Sequence, residues 1–294
     1  MESSEMINKI IEKRLKRCLL NKENFIGEAN LPTKNDFNIA KAHGTTILAL
    51  KYNKGVIIAA DRRCVAGETI FSDKMVKIEE IGTLSCLAGA GWVSDFQWLT
   101  DILREEFIPN FEKFWDTEIF VDGQAKLLKY IMRNILLFTW PILAGFDPFQ
   151  KTGRIFLQEP GGAIFEFDDY VSCGSGENGA KGILEKEWSK NCSETKGIRI
   201  AIEALLAASD FDRNTSPSSI FLPLVKVITS EKISDVSSEK AYQIAWGIVA
   251  KKEARKGTEG GVGKFIVKTF LQKNSETEEK KRSKGDKKND NPKP

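Results

Sequence analysis

The clearest pattern in the chain is a pair of short apolar runs, Ile47-Leu48-Ala49-Leu50 and Val56-Ile57-Ile58-Ala59-Ala60. Between them lies Tyr52-Asn53-Lys54-Gly55, a turn-forming segment, so residues 45–62 predict a β-hairpin. Further strand or turn is expected over 69–81, and a buried strand over 83–88 that stops at Gly89-Ala90-Gly91. Trp92, Phe96, Leu99, Ile102, Leu103 and Phe107 recur at helical spacing and predict a helix over 92–107. A second helix is expected over 123–140, ending near Pro141. Residues 154–158 and 163–172 predict a hairpin around Pro160-Gly161-Gly162. Helices follow at 178–189 and 195–208, a strand at 221–229, and a long helix at 238–255. Strands, two helices, strands, two helices and a strand do not alternate as βαβα. The order points to an α+β fold with helices outside packed sheets.

The flanks differ from this middle. Ile7, Ile10, Ile11, Leu15 and Leu19 fit an amphipathic helix over 6–20, and residues 21–42 are polar and irregular. Residues 264–271 fit one more strand. From Asn274 onward the chain is low in complexity and charged, the composition of a disordered tail.

Composition narrows the function classes. The protein has 294 residues, 41% hydrophobic and 29% charged, with a net charge of +3. The tail holds seven Lys/Arg and five Asp/Glu, so the rest is nearly neutral and offers no electrostatic case for binding nucleic acid. The longest apolar stretch, 130–146, is interrupted by Arg133, Asn134 and Pro141 and is too short and polar to span a membrane. No secretory signal is read at the N-terminus, where Glu2 and Glu5 replace the expected positive charge. Cys18, Cys64, Cys86, Cys173 and Cys192 form no CxxC pair, which argues against a disulfide framework or zinc cluster and for a reducing compartment.

The single histidine, His43, changes the picture most. It precedes Gly44-Thr45, and a chain cut there would contain none. Such a chain has no Ser-His-Asp or Cys-His triad, no HExxH zinc site and no histidine base. It would instead start with Thr45, whose hydroxyl is a nucleophile and whose freed α-amine, with a pKa of about 8, is its base. The β-branch restricts the hydroxyl's rotation. By itself, though, Gly-Thr-Thr at a strand start is ordinarily structural.

Several separated motifs tip the balance. His43-Gly44-Thr45-Thr46, Ala60-Asp61-Arg62-Arg63, Met75-Val76-Lys77-Ile78, Leu87-Ala88-Gly89, Cys173-Gly174-Ser175-Gly176 and Asp212-Arg213-Asn214-Thr215 occur in order. Over 43–250 the sequence resembles the 20S proteasome β subunits, N-terminal threonine hydrolases, in their bacterial, actinobacterial-like form. The resemblance implies a four-layer αββα sandwich. Residues 1–44 would be a propeptide removed at Gly44-Thr45, 45–256 the catalytic domain, 257–273 an extension and 274–294 the tail.

The resemblance also assigns roles. Thr45 would be the nucleophile, and Lys77, 32 positions on, an active-site lysine favouring alkoxide character. Asp61 would pair with Lys77, and Arg63 would support the pair. The Gly89 N–H would form the oxyanion hole. Ser175, Asp212 and Thr215 would hold the threonine amine, with Asp210 the alternative to Asp212. Cys64, Met75 and Leu87 would line the pocket for the side chain before the cut bond, implying an apolar preference. Gly91 and Val65 would contact substrate backbone, Val65 standing where the family commonly has Thr. No metal or organic cofactor is implied. The implied partners are proteasome α subunits, a seven-membered β ring stacked on a second, a regulatory ATPase ring and unfolded protein substrates, in the cytoplasm. The alternatives are a non-catalytic ring subunit and the simpler two-ring bacterial threonine peptidase, which has Gly-Asp-Gly in place of Ala60-Asp61-Arg62.

Two other patterns suggest nucleotide binding weakly. Gly174-Ser175-Gly176-Glu177-Asn178-Gly179 fits GxGxxG, but the preceding residues 163–168 alternate apolar and polar, unlike a buried parallel strand. Gly260-Gly261-Val262-Gly263-Lys264 falls short of a P-loop, because Thr258 and Phe265 replace required residues.

Overall fold

A computed structural model describes residues 45–67 and 69–255. Readings placed on 1–44 and 256–294 lie outside the described residues. Two five-stranded antiparallel sheets form the centre of the fold. The first has the order β10 (Tyr170–Gly174), β1 (Thr46–Tyr52), β2 (Gly55–Ala60), β11 (Leu224–Thr229) and β12 (Ile233–Asp235), and the second the order β5 (Ile78–Gly82), β6 (Ser85–Gly91), β7 (Thr139–Asp147), β8 (Thr152–Gln158) and β9 (Ile164–Phe167). Strands β1 (Thr46–Tyr52) and β2 (Gly55–Ala60) form the expected hairpin, paired from Ile47↔Ala60 to Tyr52↔Gly55.

The period-two alternation of these strands explains the layering. Ile47, Ala49, Val56 and Ile58 face the second sheet and pack on Cys86, Ala88, Ile142, Ala144 and Ile155. Leu48, Leu50, Ile57 and Ala59 face the other way, onto Ile198, Ile202, Leu205 and Ala245. The second sheet's outer face, with Leu87, Leu143 and Phe156, packs on Phe96, Leu99, Leu128 and Ile131. Helices therefore cover both sheets, giving four layers, αββα. Both faces of β1 and β2 are buried, which accounts for continuous apolar runs in antiparallel strands.

On one side lie α1 (Val93–Ile102), a π-helical turn (Leu103–Phe107), α2 (Ile108–Trp115) and α3 (Val121–Asn134). On the other lie α4 (Glu177–Glu187), α5 (Glu194–Phe211) and α6 (Ser238–Arg255). A small hairpin, β3 (Cys64–Ala66) and β4 (Thr69–Ser72), leads from the first sheet towards the second.

Several expectations need correction. The helix over 92–107 continues to Trp115. Pro109 lacks a donor and crowds the carbonyl four residues back, and the wider π-helical turn accommodates it. Left-handed Asp116 ends the helix. Gly89-Ala90-Gly91 does not break the strand, because β6 (Ser85–Gly91) runs through it. The helix over 123–140 ends at Asn134, and β7 (Thr139–Asp147) follows, with Pro141 inside it. The proline costs no bond there. It sits opposite Gly89 at a pair that exchanges no hydrogen bonds, and the ladder to β8 (Thr152–Gln158) begins one residue later, at Ile142↔Leu157.

The strand over 163–172 is two strands. β9 (Ile164–Phe167) edges the second sheet and β10 (Tyr170–Gly174) edges the first, beside β1. The stretch over 69–81, expected as strand or turn, holds β4 and β5 (Ile78–Gly82). After β11 (Leu224–Thr229), the short β12 (Ile233–Asp235) was not foreseen.

Ile58, fully buried between the sheets, is a direct test of this packing. Ile58→Ala is expected to destabilise the chain by about 2–5 kcal/mol. Lys54→Ala, in the exposed turn, should change it by less than about 0.5 kcal/mol. Urea denaturation midpoints distinguish the two.

Candidate active site

Thr45 lies immediately before β1, buried at the end of the first sheet. Its carbonyl accepts from Ser175 N at 2.9 Å, and its nitrogen donates to Ser175 Oγ at 3.3 Å. These contacts exist because β10 pairs with β1, with Thr46 opposite Gly174. Gly174 has φ of 111°, and a side chain there would collide with the Thr45 carbonyl, so glycine lets the chain turn closely around Thr45.

Behind Ser175 stands Asp212, the residue that ends α5. Its Oδ2 accepts from Ser175 Oγ at 2.6 Å and from Thr215 Oγ1 at 2.7 Å. Its Oδ1 accepts from Asn214 N at 3.0 Å. Asp210 points elsewhere, to Lys252. The ambiguity between the two aspartates is resolved in favour of Asp212 as Thr45's neighbour.

A second network reaches Thr45 from the other side. Asp61, just past β2, is fully buried and pairs with the Lys77 ammonium at 2.7 Å. The same oxygen, Oδ1, accepts from Thr46 N at 2.9 Å, so Lys77 sits beside the peptide that follows Thr45. Asp61 Oδ2 accepts from Arg63 N at 2.8 Å and from Ser216 N at 3.0 Å and Oγ at 3.3 Å. Burial pulls the Lys77 pKa below its ordinary value, and the Asp61 carboxylate opposes that shift. The Arg63 guanidinium does not reach this carboxylate. It bonds Asp73 at 2.8 Å and the Arg213 carbonyl at 2.7 Å, fastening the β3–β4 hairpin beside the site.

Two expected positions are corrected. The Gly89 N–H donates to the Lys77 carbonyl at 3.2 Å, so the β5–β6 ladder already uses it. Trp92 N bonds the Phe138 carbonyl, which makes Gly91↔Thr139 a pair that exchanges no hydrogen bonds. The Gly91 N–H consequently points away from β7, past the first residue of β5. Gly91 also has φ of 118°. Leu87 is fully buried in the helix-side core and offers no surface to a substrate. Cys64, Val65 and Met75 are half-buried, on and next to the β3–β4 hairpin. Gly44 lies outside the described residues.

Ser216 and Thr46 were missed from sequence. Ser216 adjoins Thr215, but nothing in its type marks it as a partner of Asp61. Thr46 reads simply as a strand residue.

Residues 41–220 match the proteasome subunit family. The chain is 34% identical over 204 residues to a "Proteasome subunit beta" of Jonesia denitrificans, covering 66% of this chain and 67% of the relative. It is 33% identical over 235 residues to that of Nocardia farcinica, covering 75% and 81%. For the Frankia alni protein of the same name the figures are 31% over 225 residues, 74% and 82%.

The buried pair yields a stability prediction independent of catalysis. Lys77→Met leaves the Asp61 charge uncompensated and is expected to cost about 3–5 kcal/mol. Lys77→Met with Asp61→Asn should recover part of that loss. Urea denaturation of the single and double variants checks the coupling.

Proposed function

Because the chain belongs to the proteasome β-subunit family, we propose that it is the catalytic β subunit of a 20S core particle. In this reading it is a threonine endopeptidase that activates itself by cutting Gly44-Thr45. The observation that carries the proposal is the convergence of two networks on one threonine. Ser175 and Asp212 hold its nitrogen, and the buried Asp61–Lys77 pair lies against its peptide.

Cutting before Thr45 converts its amide nitrogen into an amine. The amine takes the proton from Oγ as Oγ attacks the substrate carbonyl carbon. Lys77 lowers the cost of negative charge on Oγ. The resulting oxyanion takes the Gly91 N–H, a role moved here from Gly89, whose donor is engaged. Collapse breaks the C–N bond, and the ammonium returns its proton to the departing amine. Water then attacks the ester, giving a proton to the Thr45 amine, and the acid product leaves as Oγ is reprotonated. Ser175, Asp212 and Thr215 keep the amine aimed throughout. No step calls for a metal or organic cofactor.

Residues 1–44 are proposed as the propeptide and 45–256 as the catalytic domain. The particle is proposed to hold seven-membered β rings stacked between α rings, with an ATPase ring feeding unfolded substrates in the cytoplasm. Among the described residues, no helix is long and apolar enough to cross a membrane. Cys64 and Met75 supply an uncharged pocket wall, and Val65 and Gly91 the backbone contacts of an extended substrate.

Co-expression with an α subunit, followed by intact mass and N-terminal sequencing, tests the proposal. Wild type is expected to begin at Thr45 and Thr45→Ala to remain uncut and inactive. A full-length chain in an assembled particle would refute it. Activity should rise with pH through the amine pKa of about 8, because only the neutral amine accepts the Oγ proton. Fluorogenic peptides ending in Leu or Tyr should be cut faster than those ending in Arg or Glu, and the reverse order would remove the apolar preference.

A further inference from the structure

Thr46 joins the two networks around Thr45. Its main-chain N–H donates to Asp61 Oδ1, and its Oγ1 lies 2.6 Å from Thr215 Oγ1. The direction of that second bond follows from the inventory of hydrogens. Thr215 has one hydroxyl hydrogen and gives it to the Asp212 carboxylate, which only accepts. The hydrogen between the two threonines is therefore Thr46's. Donation runs from Thr46 to Thr215 to Asp212 Oδ2, the oxygen that also accepts from Ser175 Oγ.

Thr46 is 0% exposed, on a strand where Val would have the same shape. A hydroxyl sealed there is costly unless it is bonded. Space has also been left for it. A side chain on Gly176 would collide with both Thr46 Oγ1 and Thr215 Oγ1. The Gly176 backbone, φ −95° and ψ 11°, suits other residues, so room rather than conformation requires glycine.

We infer that Thr46 is a positioning residue, whose hydroxyl aligns and polarises the Thr215–Asp212–Ser175 chain that holds the Thr45 amine. The inference rests on the threonine-peptidase reading. Successive donations strengthen one another, and the first of these, between Thr46 and Thr215, is buried. Without Thr46's hydrogen, Thr215 donates more weakly and Asp212 keeps more negative charge. The Thr45 ammonium is then favoured, and the amine deprotonates at higher pH. The charged and titratable groups gathered at Lys77, beside the peptide that follows Thr45, are Lys77 itself before β5, Asp61 after β2, Asp212 at the end of α5 and Cys64 on β3. Thr46→Val removes none of them.

The test uses assembled particles and rates per processed chain. Thr46→Val is expected to lower kcat roughly 3- to 10-fold with KM unchanged, and to move the acidic limb of the kcat/KM profile to higher pH. Thr46→Ser, which keeps the hydroxyl, should stay within about twofold of wild type with the original limb. Gly176→Ala should resemble Thr46→Val, and it decides the question if Thr46→Val does not assemble. An unchanged kcat and limb in the valine variant, or equal losses in valine and serine variants, would overturn the inference. Wild type without activity, or active Thr45→Ala, would overturn the peptidase reading itself and this inference with it.

Discussion

A carboxylate with no exposure to water organises this molecule. Asp61 is affordable in the interior only because donors surround it: Thr46 N, Lys77 Nζ, Arg63 N, and Ser216 through both N and Oγ. They come from the start of β1, the segment before β5, the chain after β2 and the loop after α5. One lies in the first sheet, one adjoins the second, and one follows the helix layer. The charge is satisfied only when all of these have come together. Closure of the sandwich and assembly of the site are therefore one event, and a partly folded chain would expose an expensive, unpaired acid.

The arrangement separates two kinds of proton chemistry across a few atoms. On one side a lysine is held by a buried carboxylate, so its charge is an architectural feature. On the other, a nitrogen meets a serine hydroxyl and a half-buried aspartate, a softer environment in which a proton can come and go. Nucleophilic chemistry without histidine needs both: a fixed cation that lowers the cost of negative oxygen, and a titratable amine that moves the proton. Thr45 is the point where the two environments meet, because β1 pairs with β2 on one edge and β10 on the other.

Sequence reading succeeded where local pattern and tertiary environment agree. The β1–β2 hairpin was legible because its turn chemistry and apolar runs are both local, and α6 because its bounds are punctuated. It failed where a distant partner decides. Pro141 signals a helix end in isolation, yet it sits in β7 because its missing donor faces a position that needs none. Gly89 and Gly91 are indistinguishable as letters. Their donors part company only once Lys77 is seen to occupy one of them. Leu87 was placed in the pocket by the resemblance alone, and alternation along β6 gives its period but not which face meets the substrate. Thr46 and Ser216 carried no signal at all, since a hydroxyl becomes informative only when its burial and its partner are known.

The run Gly174-Ser175-Gly176-Glu177-Asn178-Gly179 carries this point furthest. In a dinucleotide site the same spacing serves a tight turn, close approach to a phosphate, and helix packing. Here Gly174 turns tightly around the Thr45 carbonyl, Gly176 clears space for two hydroxyls, and Gly179 lets α4 press against the backbone of Ala208 in α5. The steric demands are alike, a turn, a gap and a close helix contact, which is why the letters coincide. What fills the gap differs. A phosphate would need donors aimed into it, whereas the gap beside Gly176 already contains a donor and an acceptor bonded to each other. The motif records the shape of the backbone, and the chemistry is written by the side chains that the rest of the fold delivers to it.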